Sequence, residues 1–139
     1  LCPNAADRFV DDALPWAVGG HSLGGVAAAA YADGHASVTG LVLWASYPGT
    51  DLSGRDGLAA ASITGTQDGL STPAKVEERK PLLPAGTVFT PIEGAVHAFF
   101  GDYGDQPGDG TPTISRDDAQ RQIVAATVTL LERISAAGS

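Results

Sequence analysis

The chain has 139 residues, 43% of them apolar, and a formal charge of −8. This length predicts a single domain, 1–139, with one buried core. The acidic balance argues against nucleic-acid binding, which needs clustered Lys and Arg, and against anionic membrane surfaces. The longest apolar run, Val26–Ala32, is too short to span a bilayer. We therefore expect a soluble protein; its compartment stays open, with the cytoplasm favoured.

Apolar runs alternate with helix-like runs along the chain, which is the pattern of parallel βαβ units. The predicted strands are 16–19, 41–45, 58–65 and 87–92, and the predicted helices are 5–13, 26–33, 73–81 and one that Ser115 and Asp118 open as a capping box. Gly34 is expected to end the second helix as a C-terminal glycine, and Pro91 favours an edge strand. The sequence predicts an α/β fold with three layers, α/β/α, and a short parallel sheet of about four strands.

The segment Gly20-His21-Ser22-Leu23-Gly24 fits the pattern G-x-S-x-G between a predicted strand and a predicted helix. A nucleophilic serine at this sharp turn needs glycine two residues before and after it, because larger side chains would collide. The turn also directs the N–H of Leu23 toward a developing oxyanion. The alternative is a glycine-rich turn with an incidental serine. Neither the phosphate-binding nor the dinucleotide-binding glycine pattern is met, so we expect no cofactor.

His97 is the candidate general base, because it follows the fourth predicted strand in a loop that can bring it to the serine. We expect His21, inside the turn, to direct its side chain away from the serine hydroxyl. His35 follows a helix end, where a solvated or dipole-complementing role is more common. A structural loop histidine is the alternative for His97.

Asp68 is the candidate acid of the site, because it directly follows the third predicted strand and precedes a glycine. A carboxylate there can accept the second N–H of the base and orient its ring. Asp51 and Asp56 are rivals, and a solvated turn aspartate is the alternative for all three. The order Ser22, Asp68, His97 is the order that the nucleophile-elbow fold uses.

Four stretches of the sequence resemble the α/β-hydrolase family, in particular the bacterial branch related to dienelactone hydrolases. They are 17–25, 41–48, 65–69 and 93–104. The resemblance implies a Ser22-His97-Asp68 triad. A dienelactone hydrolase would have a cysteine nucleophile, so Ser22 favours an ordinary esterase.

The family normally has eight strands, and this chain resembles only the last four with their helices. The segment that supplies the second oxyanion N–H in the family therefore has no counterpart here, and only the Leu23 N–H can be assigned. The strand that contains Trp16 would also become a sheet edge with unpaired backbone groups. We expect self-association that covers this edge.

The sequence thus predicts a hydrolase of small, short-acyl carboxylic esters, with an esterase or lipase activity. Phe99, Phe100 and Tyr103 are candidates for lining an acyl site, and core packing is their alternative. The competing hypothesis is a catalytically weak fragment that acts as a binding module. The one cysteine, Cys2, excludes an intrachain disulfide and a Cys-rich metal site. Calcium bound by Asp102, Asp105 and Asp109 is a minor alternative, since the spacing is not an EF-hand loop; we expect no metal.

Overall fold

The computed structural model describes residues 5–9 and 13–138. The strands are β1 Trp16–His21, β2 Val38–Trp44, β3 Ala59–Gly65 and β4 Val88–Ile92, the helices are α1 Leu23–Gly34, α2 Pro73–Arg79 and α3 Arg116–Ala137, and short 3₁₀ helices cover Ala5–Arg8, Lys80–Leu82 and His97–Phe100. Within these ranges, no helix combines the length and the apolar character needed to cross a membrane.

The four strands form one parallel sheet in the order β1-β2-β3-β4. This confirms the predicted α/β class and the number of strands. Strand β2 is buried on both faces: Leu41 and Leu43 face a core with α1, whereas Val42 faces a core with α3. The continuous apolar run that predicted this strand is the consequence of helices on both sides of a parallel sheet.

The strand bounds differ from the predicted ones by up to three residues, and two helix predictions are wrong. Gly34 lies inside α1 rather than after it, and His35 is the C-cap in an extended conformation, with φ −131°. The His35 ring stacks on Tyr31, and Nδ1 lies 2.8 Å from the Tyr31 carbonyl oxygen. This side chain satisfies a carbonyl at the helix end, so no left-handed glycine is needed there. The helix predicted over 5–13 is a 3₁₀ helix over Ala5–Arg8 only, and residues 10–12 lie outside the described part.

The carboxyl ends of the parallel strands place the candidate residues at one edge of the sheet. Ser22 follows β1, Asp68 comes three residues after β3, and His97 begins a 3₁₀ helix shortly after β4. Strand β4 is an edge strand, as Pro91 predicted. The loop that carries His97 is partly helical, since a 3₁₀ helix covers His97–Phe100.

Strand β1 forms the other edge of the sheet in the described part of the chain. Its residues are half-buried, whereas β2 is largely buried, and α3 exposes Val124, Val128 and Leu131. Open strand edges pair readily with a second chain, which is the physical reason to expect self-association through this edge. It stays a prediction.

We expect the apparent mass of the protein to rise with concentration in light scattering. A Lys substitution at Trp16, the first residue of β1 and a member of neither core cluster, should shift the protein toward the monomer, since a charge on an edge strand opposes pairing. A monomer mass that is independent of concentration would contradict the prediction.

Candidate active site

Ser22 lies on the sharp turn between β1 and α1 and has a strained backbone, with φ 53° and ψ −122°. Its N–H donates to the Trp44 carbonyl at 3.0 Å, which ties the turn to the end of β2. A positive φ at a residue other than glycine costs energy and persists only where the surroundings impose it. The backbone of a nucleophile elbow is therefore present at the predicted serine.

Only one of the two glycines that the G-x-S-x-G pattern places around Ser22 is crowded. A Cβ on Gly20 would overlap the backbone of Gly24, so the close approach at Gly20 is real. A Cβ on Gly24 would meet no atom within 4 Å, whereas one on Gly25 would overlap the Ser46 side chain. The expectation for Gly24 is thus wrong: the crowded glycine on the helix side is Gly25, because Gly25 faces the end of β2.

Ser46 stabilises the turn at Ser22 by a hydrogen bond to its backbone. Its hydroxyl donates to the Ser22 carbonyl oxygen at 2.6 Å, and its side chain is almost fully buried. Ala45, just before it, has φ 46°, which bends the chain sharply after β2. This bend brings Ser46 into contact with the turn at Ser22. The sequence pattern did not indicate this contact.

Asp68 and His97 form a buried pair. The distance from His97 Nδ1 to Asp68 Oδ2 is 2.8 Å, and the two side chains are 3% and 0% exposed. The other oxygen, Oδ1, accepts the N–H groups of Leu70 at 2.8 Å and Ser71 at 2.7 Å. Because a carboxylate only accepts hydrogen bonds, we assign the proton to Nδ1, which leaves Nε2 as the nitrogen able to act as a base.

His21 lies beside this pair, a neighbour that the sequence did not indicate. Its ring centroid is 4.5 Å from that of His97, and Nδ1 lies 3.2 Å from the Tyr103 hydroxyl. Burial lowers the pKa of His21, and the neighbouring His97 lowers it further. A neutral His21 adds no positive charge beside His97 when that ring takes up a proton.

Asp109 connects the loops that carry Asp68 and His97. Its carboxylate accepts backbone N–H groups from Gly69, His97, Ala98 and Gly110, at 2.8–3.1 Å. Partial burial raises the pKa of Asp109, but the N–H groups of Ala98, Gly69, His97 and Gly110 together outweigh burial, and the pKa is lowered. The sequence suggested Asp109 only as a calcium ligand.

Two cavities meet at Ser22 and share Leu23, Leu70 and His97. The larger, of about 510 Å³, also contains His21, Tyr103, Gln106 and Pro107. The smaller, of about 210 Å³, is bounded further by Val26, Ser46, Tyr47 and Ser71. Leu23 and Leu70 are 65% and 44% exposed, so their side chains give both cavities an apolar rim. Within the described residues, no hydrogen bond joins Ser22 to His97. The two residues are brought together by the cavities, because both of them line each cavity.

Of the three candidate acyl-site residues, only Tyr103 lines a cavity with Ser22. Phe100 is buried in the core with α3, and Phe99 packs against that core. Both border a separate cavity beside Trp44. Their ring positions are set by the 3₁₀ helix over 97–100, which directs them toward α3. Leu70 was missed by sequence reasoning, although its position two residues after Asp68 was a signal.

The remaining candidates lie elsewhere or have other partners. Asp51 and Asp56 are exposed, and Asp51 accepts from Ser53. Asp102 pairs with Arg116 at 3.1 Å. Among the described residues, no cluster of three or more His, Cys, Asp or Glu is arranged to hold a metal.

A cavity of about 560 Å³ lies at the opposite ends of the strands, between Arg55 and Arg133. It is slightly larger than the larger cavity at Ser22 and more than twice the volume of the smaller one. We place the candidate site at Ser22 nevertheless, because the strained serine and the histidine–carboxylate pair are there.

The sequence model of the alpha/beta hydrolase family matches residues 1–122. The chain belongs to the alpha/beta hydrolase family. Among solved structures, this chain is similar to a protein assigned as a dienelactone hydrolase from Klebsiella pneumoniae, with a TM-score of 0.56 and 19% identity over 91% of this chain and 57% of that one. It is also similar to a carboxylesterase from Lactobacillus plantarum, with a TM-score of 0.51 and 14% identity over 95% of this chain and 63% of that one.

At these identities the likeness shows the fold alone, and the alpha/beta hydrolase described here spans about three fifths of the length of both structures. No sequence among curated proteins matches the chain. The family membership and the fold thus rest on independent comparisons, and the chemistry must be argued from the residues of the site.

The crowding at the elbow predicts different effects for two neighbouring glycines. Gly20→Ala should lower the free energy of unfolding by about 1–3 kcal/mol or more, because the added methyl group meets backbone that cannot move aside. Gly24→Ala should be neutral or stabilise by about 0.5 kcal/mol, since the space is open and alanine favours helix. Urea unfolding of both variants measures this, and equal losses would contradict the prediction.

The lowered pKa of Asp109 predicts that this residue makes a pH-dependent contribution to stability. Its pKa in the folded protein is below the ordinary value of 3.8. Its contribution is therefore fully present above pH 3.8 and is lost as pH falls through the lower folded pKa. The stability difference between the wild type and Asp109→Asn should be largest near neutral pH and shrink below pH 3.8, as measured by urea unfolding at pH 7 and pH 3. A difference that is constant with pH would contradict this.

Proposed function

We propose that this alpha/beta hydrolase cleaves small carboxylic esters through an acyl-enzyme, with Ser22 as nucleophile, His97 as base and Asp68 as the residue that orients the base. The observation that carries the proposal is the buried Asp68–His97 pair at 2.8 Å, beside a serine in a positive-φ turn. An ordinary turn serine needs neither a strained backbone nor a carboxylate-bound histidine.

The proposed reaction follows from the acceptors and donors of the site. His97 Nε2 takes the Ser22 proton as Oγ attacks the ester carbonyl, and Asp68 stabilises the resulting imidazolium. His97 then gives this proton to the leaving alcohol, which departs as the acyl-enzyme forms. Water, with His97 again as base, releases the acid and regenerates Ser22.

The Leu23 N–H is the proposed oxyanion donor. Leu23 is the first residue of α1, where backbone N–H groups have no acceptor within the helix. Partial positive charge at a helix start also favours a developing anion. The loss of one oxyanion donor costs about 10²–10³ in rate, so this N–H is a substantial part of the proposed transition-state stabilisation.

The cavities favour small substrates. Two open cavities, of about 510 and 210 Å³, flank Ser22 and share the apolar side chains of Leu23 and Leu70. One cavity can take the acyl group and the other the alcohol. Tyr103 is the one predicted acyl-site residue that stays in the proposal, and its hydroxyl is held by His21 at 3.2 Å.

Hydrolysis of p-nitrophenyl acetate and labelling by a fluorophosphonate test the proposal. Ser22→Ala should abolish labelling and lower kcat/KM by about 10³-fold or to the background rate, because the acyl-enzyme cannot form. The matched control is Ser53→Ala, which removes an exposed hydroxyl at the opposite end of the sheet and should leave both readouts unchanged.

Equal rates for the wild type and Ser22→Ala would refute the esterase proposal. Absence of labelling in the folded wild-type protein would favour the competing hypothesis of a binding module, in which the same cavities hold a ligand without turnover.

A further inference from the structure

Asp109 lies outside the set of residues assigned to the reaction, yet its carboxylate contacts the backbone of both loops that carry that set. Oδ1 accepts the N–H groups of Gly69 at 3.1 Å, His97 at 3.1 Å and Gly110 at 2.8 Å, and Oδ2 accepts that of Ala98 at 2.9 Å. Only the Gly110 contact is local in sequence. The other three join segments that are 11 to 40 residues away.

The N–H groups of His97 and Ala98 are the first two of a short 3₁₀ helix. Helix starts leave their first N–H groups without acceptors, and a capping side chain normally supplies one. Here the N-cap residue is Val96, whose side chain makes no cap hydrogen bond. Asp109 supplies the missing acceptors from outside the helix, so the start of the helix, and with it the His97 backbone, is held by this carboxylate.

The contact with the Asp68 loop is equally close. A Cβ on Gly110 would overlap the carbonyl oxygen of Gln67, and one on Gly69 would overlap that of Gly108. The segment 108–110 therefore packs with its backbone directly against the segment 67–69, with no room for side chains between them. Asp109 is placed where its oxygens reach Gly69, the residue next to Asp68.

We infer that Asp109 is a positioning residue that holds the loops of Asp68 and His97 in the geometry required for ester hydrolysis. The inference rests on the proposed function and adds a residue that touches neither substrate nor reacting atoms. Removing the carboxylate frees the backbone at His97, Ala98 and Gly69 together, so the imidazole can leave the position from which it takes the Ser22 proton. Misplacement by about 1 Å can cost about 10² in rate.

The chemistry of the side chain predicts an order among substitutions. Ala at position 109 removes both acceptor oxygens. Asn keeps an oxygen for the three N–H groups that bond Oδ1, but it turns an NH₂ group toward the Ala98 N–H, where it cannot accept. Asp109→Asn should therefore restore part of what Asp109→Ala loses. Asp105→Asn is the matched control, because it removes a charge from an exposed side chain of the same loop.

The experiment measures kcat and KM for p-nitrophenyl acetate, the rate of fluorophosphonate labelling and the thermal unfolding midpoint of each variant. We expect Asp109→Ala to lower kcat and the labelling rate about 10–10²-fold with KM within about twofold of the wild type, since Asp109 itself lines neither cavity at Ser22. Asp109→Asn should lie between Asp109→Ala and the wild type. Asp105→Asn should match the wild type, and all proteins should stay folded at the assay temperature.

The outcomes separate this inference from the proposed function. If Ser22→Ala is inactive but both Asp109 variants keep the wild-type kcat, the inference is overturned and the esterase proposal stands. If the wild type is no faster than Ser22→Ala, the esterase proposal itself fails. If Asp109→Ala unfolds, Asp109→Asn decides: reduced kcat in a folded protein supports the inference, and wild-type kcat overturns it.

Discussion

The candidate site depends on two carboxylates that accept the backbone N–H groups of the loops after β3 and β4. Asp68 accepts from Leu70 and Ser71 and from the His97 ring, and Asp109 accepts from Gly69, His97 and Ala98. The N–H groups of Leu70 and Ser71 are paired within the first loop, and those of His97 and Ala98 within the second. Two bonds join the loops, from the His97 ring to Asp68 and from the Gly69 N–H to Asp109, and separating the loops would leave these groups unpaired in a partly buried place, which is costly. The loops therefore stabilise one another, and this arrangement holds the imidazole beside Ser22.

The sharp turn at Ser22, on the other side of the site, also depends on contacts with its surroundings. Its backbone is strained, and the strain is sustained by the packing of Gly20 against Gly24, of Gly25 against Ser46, and by the Ser46 hydroxyl on the Ser22 carbonyl. Strain at a functional residue persists where the surroundings over-determine the conformation. Ser22 is thus positioned by the ends of β1 and β2, and His97 by the loops after β3 and β4.

Much of the fold was predictable because its signals are local. The run Leu41-Val42-Leu43 indicates a strand buried on both faces, and Pro91 indicates an edge. The end of α1 was not predictable in this way, because His35 caps the helix by stacking on Tyr31. The general preference for glycine at helix ends does not indicate that a particular side chain will contact the last turn. The same applies to Phe99 and Phe100, whose directions depend on a 3₁₀ helix inside a segment that reads as loop.

By itself the sequence determined the parallel α/β architecture, the serine in a glycine-bounded turn, and the positions of Asp68 and His97 just beyond strand ends, because hydrophobic period and turn chemistry are written within a few residues. Only the tertiary structure decided that His21 lies against His97, that Gly25 rather than Gly24 is the crowded glycine, and that Asp109 joins the two loops. Each of these features is a contact between residues that are 12 to 76 positions apart in the sequence, and a local sequence pattern does not indicate such a contact.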